Sequence, residues 1–352
     1  MAQKNMNIES NVKCLTYHQT SWAELCINGK ATQRHYPLDN GVEQYESITP
    51  SSTSMVGQLD LLPVELCHAT LLQLDLESLT MLRTVSRGAQ QMVNGLPGYQ
   101  YLLKHYRHVL CALLALGLRP WFTVPNLFDA VSQPDCTACG DCGVFFCFLS
   151  RSRACYLCLK ENPKFHPLTV DRAKEAYGLN AKAISHIPVL CTISGTDTPV
   201  SPLGGGRTRL VDTEVARQAG IALHGSKEER EKFVAARRAS KMHHYGPQME
   251  RLQRLGGWPR RPNVFGNFAN YDGEGDDALR YMGVIYTPWF DRVGGHMETG
   301  LSCLACREDN IYFYSGPRQR HWVRLYTTKG YIGHIQECKK SQIKLARLSN
   351  PT

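Results

Sequence analysis

The sequence predicts an α+β chain that is mainly α. It places three short leucine-rich helices near the N-terminus, further helices behind them, and two small β/loop segments stapled by metal. Three observations carry this prediction. Leucines recur at helical spacing between Leu59 and Leu82. Two Cys-x-x-Cys pairs, Cys136 with Cys139 and Cys155 with Cys158, stand fifteen residues apart. A third pair, Cys303 and Cys306, is followed after twenty-seven residues by His334 and Cys338.

The bulk properties narrow the class. A length of 352 residues allows two domains or one with appendages, and a hydrophobic content of 43% supports ordinary cores. Met1 to Glu9 is polar, so no signal peptide is expected. The longest apolar run, Val109 to Leu118, is about half of what a membrane span needs. Fourteen cysteines without a secretory signal point to an intracellular protein, cytoplasmic or nuclear, whose thiols bind metal rather than form disulfides. The net charge is +9, and between Arg207 and Arg261 thirteen Lys or Arg face six Asp or Glu. A solvated helix face explains that excess most simply; contact with nucleic acid is the alternative.

Taken in order, residues 1–57 read as a disordered tail: polar, with a Ser/Thr-rich run from Ser47 to Ser54. Cys14 and Cys26 lack neighbours at metal spacing and read as bystanders. Residues 58–101 hold the three short helices. Pro63 sits in the first turn of one, with Leu62, Leu66, Ala69 and Leu72 on one face. Asp75 caps the next, which carries Leu76, Leu79 and Leu82. The third runs from Arg87 to Val93 and stops at Gly95 and Pro97. Three such helices cannot bury all these leucines alone, so the unit needs a partner or the rest of its chain. Residues 102–132 link it onward, through a helix from Tyr99 to Leu116 that Gly117 stops and another capped by Thr123.

Residues 133–168 form the first metal segment. Two thiolates two residues apart bind one ion from a tight turn, and a second pair completes a tetrahedron. Four sulfurs, from Cys136, Cys139, Cys155 and Cys158, suit a structural Zn2+. Val144 to Leu149 supplies a hairpin strand. Cys142 and Cys147 either replace one of the four or pack as small apolar groups, and packing is the favoured reading. A cross-braced double-zinc RING needs eight ligands, and six cysteines with His166 do not supply them.

Residues 169–280 form a helical basic region. Thr169 and Asn180 cap two short helices separated by Gly178, an ordinary helical corner rather than a helix-turn-helix. Ser194 to Gly206 is a loop whose Gly204-Gly205-Gly206-Arg207 lacks the ending of a phosphate loop. A basic helical run starts at Thr213 and is divided by Gly225 and by Gly246-Pro247; His243 and His244 read as solvated. Tyr271 to Asp277 is an acidic glycine-rich loop without a strand before it, hence no dinucleotide turn. Residues 281–352 hold strands, at Val284–Tyr286 and Ile311–Tyr314, and the second metal set of Cys303, Cys306, His334 and Cys338. His334 and Cys338 are one helical turn apart and share a face.

The stretch from Leu59 to Tyr101 resembles an F-box: Leu-Pro-x-Glu-Leu, a leucine-rich middle, then Leu-x-x-Leu-Arg-x-Val-Ser-Arg and a hydrophobic end. It is similar to the F-box of fungal proteins with cysteine-rich zinc segments behind it. The further pattern here reads Leu-Pro-Gly-Tyr from Leu96, the two Cys-x-x-Cys pairs, and Gly300-Leu301-Ser302-Cys303-x-x-Cys306. With gaps, the similarity runs from Leu59 to Cys338. It departs at Cys67-His68-Ala69-Thr70, where F-boxes carry bulkier aliphatics.

The resemblance implies a non-catalytic substrate-receptor subunit of an SCF-type ubiquitin ligase. Leu59 to about Val93 would dock the SCF adaptor, and through it the cullin scaffold, by Leu62, Pro63, Leu66, Leu71, Leu72, Leu74, Leu79, Leu82 and Val85. The zinc-bearing remainder would bind a protein substrate that the sequence does not name. Catalytic motifs such as Gly-x-Ser-x-Gly or His-Glu-x-x-His are absent, so no enzyme activity and no membrane contact are expected. The alternative is a zinc protein that binds nucleic acid through residues 207–261.

Overall fold

A computed structural model of the chain describes residues 12–19, 21–36, 38, 57–193, 207–254, 279–308 and 323–349. A two-residue strand must find a partner for its amides, and the first one here finds it near the far end of the chain. Strand β1 (Thr16–Tyr17) pairs antiparallel with Ser302–Cys303. A 3-10 turn over Ser21–Leu25 follows, then helix α1 (Gly29–His35), capped by the Asn28 side chain. Leu15, Trp22, Cys26 and Ile27 are buried. The expectation of a disordered tail over 1–57 is therefore corrected for the described residues between 12 and 36. Their anchors are single residues at no period, each meeting a partner distant in sequence, so no local pattern signals them. The run from Ser47 to Ser54 lies outside the described residues.

The helical layer follows the leucine pattern. Helix α2 (Val64–Leu71) starts behind Pro63, and α3 (Leu76–Arg83) behind Asp75, whose carboxylate accepts from the amides of Glu77 and Ser78 at 2.9 Å each. Ser86 caps α4 (Arg87–Asn94). The helix expected from Tyr99 to Leu116 is two: α5 (Pro97–His105) and α6 (Arg107–Leu116). The break at Tyr106 turns that side chain into the core, where its hydroxyl donates to the Val131 carbonyl at 2.9 Å. Helix α6 is buried along most of its length and ends at Gly117, whose φ of 71° suits glycine. Helix α7 (Val124–Ser132) carries a capping box from Thr123 and Asn126.

Behind these helices, β2 (Phe145–Cys147) and β3 (Ser152–Ala154) form the expected hairpin, and α8 (Tyr156–Glu161) follows. Next come β4 (Leu168–Thr169), α9 (Val170–Tyr177), α10 (Ala181–Ser185), β5 (Val189–Cys191) and β6 (Arg209–Val211). These three strands form an antiparallel sheet in the order β4-β6-β5. Helices α11 (Thr213–His224) and α12 (Lys227–Arg254) are separated at Gly225, as expected. Gly246-Pro247 does not divide α12, contrary to expectation: the helix runs on through both residues, since a proline's fixed φ is itself helical. The loop from Ser194 to Gly206, Tyr271 to Asp277 and Ile311 to Tyr314 lie outside the described residues.

The C-terminal part returns to the hairpin. Strand β7 (Val284–Tyr286) pairs with β2 and completes a three-stranded sheet, β3-β2-β7. Strands β8 (Trp289–Asp291) and β9 (His296–Glu298) form a second hairpin, and β10 (Ser302–Cys303) is the partner of β1. Helices α13 (Leu304–Glu308), α14 (Thr328–Glu337) and α15 (Lys339–Ser349) follow. Arg153 on β3, almost wholly buried, fastens the junction. Its guanidinium donates to the carbonyls of Val131, Gly143, Thr287 and Pro288. Charge-assisted bonds to four carbonyls offset the cost of burying that charge. The fold is thus mainly helical α+β with small sheets, and none of its described helices is long and apolar enough to cross a membrane.

Candidate metal centres

The first centre is built from two tight turns. In the Cys136–Cys139 turn, the Gly140 amide donates to the Cys136 carbonyl at 2.9 Å, and Gly140 has a φ of 76° that a side chain would strain. The second half starts at Cys155, the residue that caps α8; its sulfur accepts from the Cys158 amide at 3.4 Å. Ligand atoms of Cys136, Cys139, Cys155 and Cys158 all lie within 4.8 Å of one another. A tetrahedral ion with Zn–S bonds of 2.3 Å would set its sulfurs about 3.8 Å apart. The Cys139 and Cys155 sulfurs are 3.6 Å apart. A hydrogen bond from the Cys155 thiol, aided by nearby amides and opposed by burial, holds the Cys136 thiol below its ordinary range. Its partner Cys155 is raised correspondingly. Bound metal would take the place of the shared proton.

The second centre draws on β10, α13 and α14. Cys303, Cys306, His334 and Cys338 also bring their ligand atoms within 4.8 Å of one another. Cys306 Sγ lies 3.5 Å from His334 Nε2 and 3.9 Å from Cys338 Sγ. Those separations match a shared tetrahedral ion, since Zn–N bonds are shorter than Zn–S. Ser341 Oγ lies 3.1 Å from Cys303 Sγ, and the buried Tyr331 hydroxyl lies 3.7 Å from the same sulfur. Tyr326 stacks on His334 with ring centroids 4.4 Å apart and fixes the imidazole plane. The Cys306 thiol, against the opposing effect of burial, holds Cys303 below its ordinary range, with His334 and Ser341 contributing. Both clusters therefore have the geometry to hold a metal ion, as the spacing predicts.

Cys142 and Cys147 do not join the first cluster. Both are buried in the apolar core beside it, and burial raises Cys142 to about 12, where it stays a thiol. His166 Nε2 lies 3.2 Å from the Leu159 carbonyl and is not among the ligand atoms that converge in the first cluster. Cys26 is more than a bystander: it is buried and its sulfur accepts from the Tyr286 amide at 3.2 Å. One further group went unnoticed in the sequence, Asp291, His296 and Glu298 on the β8–β9 hairpin. There the Gly294 carbonyl, with the Glu298 and Asp291 carboxylates adding, raises the pKa of His296.

The residues assigned to adaptor docking divide in two. Leu62, Leu66 and Val85 are 41%, 54% and 73% exposed, and Pro63 is exposed with them. Leu71 and Leu79, at 3% and 0%, are core residues, which corrects their assignment: helical spacing defines a face but not what covers it. Leu72, Leu74 and Leu82 are partly buried and pack against that core. Leu61, Val64 and Met81 are exposed apolar residues of the same stretch. No family model matches the chain, and no curated protein or solved structure matches it at a significant level.

Proposed function

We propose that the chain is a non-catalytic substrate receptor that docks the SCF adaptor through α2 and the turn before it. The observation that carries this reading is the exposed apolar row of Leu61, Leu62, Val64 and Leu66, which coincides with the Leu-Pro-x-Glu-Leu stretch. Apolar side chains held out on a short helix are the anchors a partner groove takes. Both clusters hold Zn2+ in this reading. Four thiolates, or three with an imidazole, saturate the ion and leave no position for substrate. The ions stabilise the C-terminal region, which binds the protein to be modified, while the ubiquitin chemistry belongs to other subunits.

Capture of purified adaptor by the full chain, with zinc measured on the same preparation, tests the reading. Leu62→Ala combined with Pro63→Ala is expected to weaken capture roughly thirtyfold, the loss of about 2 kcal/mol at a central anchor, with zinc unchanged. Wild-type chain that captures no adaptor, or a double variant that loses zinc and fold together, refutes it.

A second reading, nucleic-acid binding, is favoured by one feature of α12. From Lys232 to Met249 it carries Lys232, Arg237, Arg238 and Lys241 and no carboxylate of its own, and Lys241 pairs with Glu175 of α9 at 2.6 Å. Three phosphate contacts from the others would give a log–log salt slope of about −2 to −3. A flat salt response removes this reading.

A further inference from the structure

The two metal centres lie far apart in sequence, yet one short segment touches both. At its first end, β1 pairs with β10 so that Thr16 faces Cys303, a ligand of the second centre. Tyr331 strengthens that end: its one hydroxyl hydrogen is directed at the Leu15 carbonyl at 2.8 Å, with Cys303 Sγ as a second, weaker acceptor at 3.7 Å. Val12 and Leu15 share an apolar cluster with Cys303 and Tyr331. At its other end, Trp22 stacks on Tyr156, centroids 4.6 Å apart and planes 10° apart, and Tyr156 sits between the ligands Cys155 and Cys158. Trp22 and Cys26 share their cluster with Cys136 and Cys155. The Ile27 amide then donates to the Val284 carbonyl at 3.0 Å, which ties the segment to the sheet behind the first centre.

We infer that the described residues between 12 and 28 form a strap that couples the two centres, so that metal held at one tightens metal at the other. The inference rests on both clusters holding metal. Its physical basis is shared order. Each loaded centre fixes the surface on which one end of the strap lies, and ordering that end lowers the entropic cost of ordering the other. More direct links exist. Asp141 pairs with Arg324 at 2.6 Å, but both side chains are partly exposed, and such pairs contribute little. Val323 and Leu325 are buried in the cluster of Cys136 and Cys155 and lead into Tyr326, which stacks on His334. The strap is a second buried connection beside that one.

Zinc release from the full chain to a chromogenic chelator, followed alongside trypsin cleavage at Lys13 and Lys30, tests the coupling. Cys338→Ser disables the second centre. The first centre is then expected to release its zinc about tenfold faster than in wild type, within the usual range of coupling between sites, and both lysines become cleavable. Adding Trp22→Ala to Cys338→Ser is expected to accelerate release little further, because the strap is already loose. Tyr331→Phe keeps every ligand and removes the hydroxyl with both its contacts; it is expected to speed release from both centres and cleavage at Lys13. Ile184→Ala, in the apolar cluster around α9 and α10, serves as the control for general destabilisation and leaves the coupling intact.

A single zinc that leaves the first centre of Cys338→Ser at the wild-type rate overturns the strap and spares the metal reading. Fewer than one zinc per wild-type chain overturns both.

Discussion

The helices from α2 to α7 and the segments around the two cysteine clusters are held by different means. In the first, Leu79, Leu96, Leu102 and Leu113 are fully buried in one continuous cluster, and side-chain caps at Asp75, Ser86 and Thr123 hold the ends of α3, α4 and α7. In the second, strands of two or three residues carry the chain around smaller apolar clusters, such as those of Phe145 and Tyr331. Beside each of these clusters stands a set of converging ligand atoms. The difference teaches that one chain can join a helical layer with a large continuous core to a loop-rich layer with small cores beside cysteine clusters, through shared core residues such as Phe146 and Ile285.

Metal removal should separate the two most strongly. Structural zinc carries apparent binding free energies of roughly 10–16 kcal/mol. Chelation is expected to abolish hydrogen-exchange protection in β2, β3, β7 and α14 while α3 to α6 keep theirs. Simultaneous loss everywhere would break the distinction. Single cysteines sharpen it: Cys136→Ser is expected to cost one zinc per chain, whereas Cys142→Ser, beside the cluster but outside it, keeps both. Elemental analysis of the two variants decides the point.

Within the helical layer the leucines themselves divide. Leu79→Ala should destabilise by about 3–5 kcal/mol, as fully buried leucines do, with zinc unchanged. Leu66→Ala, more than half exposed, should leave the melting temperature nearly unmoved and lower adaptor capture. Equal destabilisation by both would remove the docking surface.

The smallest effect concerns pH at the seam between the layers. His108 Nε2 lies 2.8 Å from Thr287 Oγ1, and burial, with the charge of Arg153 adding, lowers its pKa from 6.5 to about 4. The unfolded chain therefore takes up this proton first. Stability from this residue is complete above pH 6.5 and declines, by up to about 3 kcal/mol, as pH falls toward 4. His108→Gln is expected to flatten that part of the denaturation profile relative to wild type. An unchanged slope would show that His108 does not titrate there.

The same contrast explains what the sequence reveals. Helices α2, α3, α4 and α7 are legible because caps and apolar spacing are local signals. The two ligand sets are legible because coordination demands fixed spacing. The N-terminal strap is not, since Leu15, Trp22, Cys26 and Ile27 follow no period and their partners lie elsewhere in the chain. Tyr106 breaks a helix for a partner on α7, which helical spacing does not register. Leu71 and Leu79 look like docking residues because spacing is blind to the helices that cover them.

Arg153 has a consequence for anyone who would cut the chain. All four ligands of the first cluster are present by Cys158, so a fragment ending there looks like a complete cassette. It is not one. Two of the four carbonyls that receive the guanidinium, those of Thr287 and Pro288, belong to the distant C-terminal part. The excised piece would carry its zinc ligands and a cation with half its acceptors missing, beside a strand whose neighbour, β7, is gone. The hairpin and the C-terminal third form one unit of assembly, whatever the order of the residues along the chain.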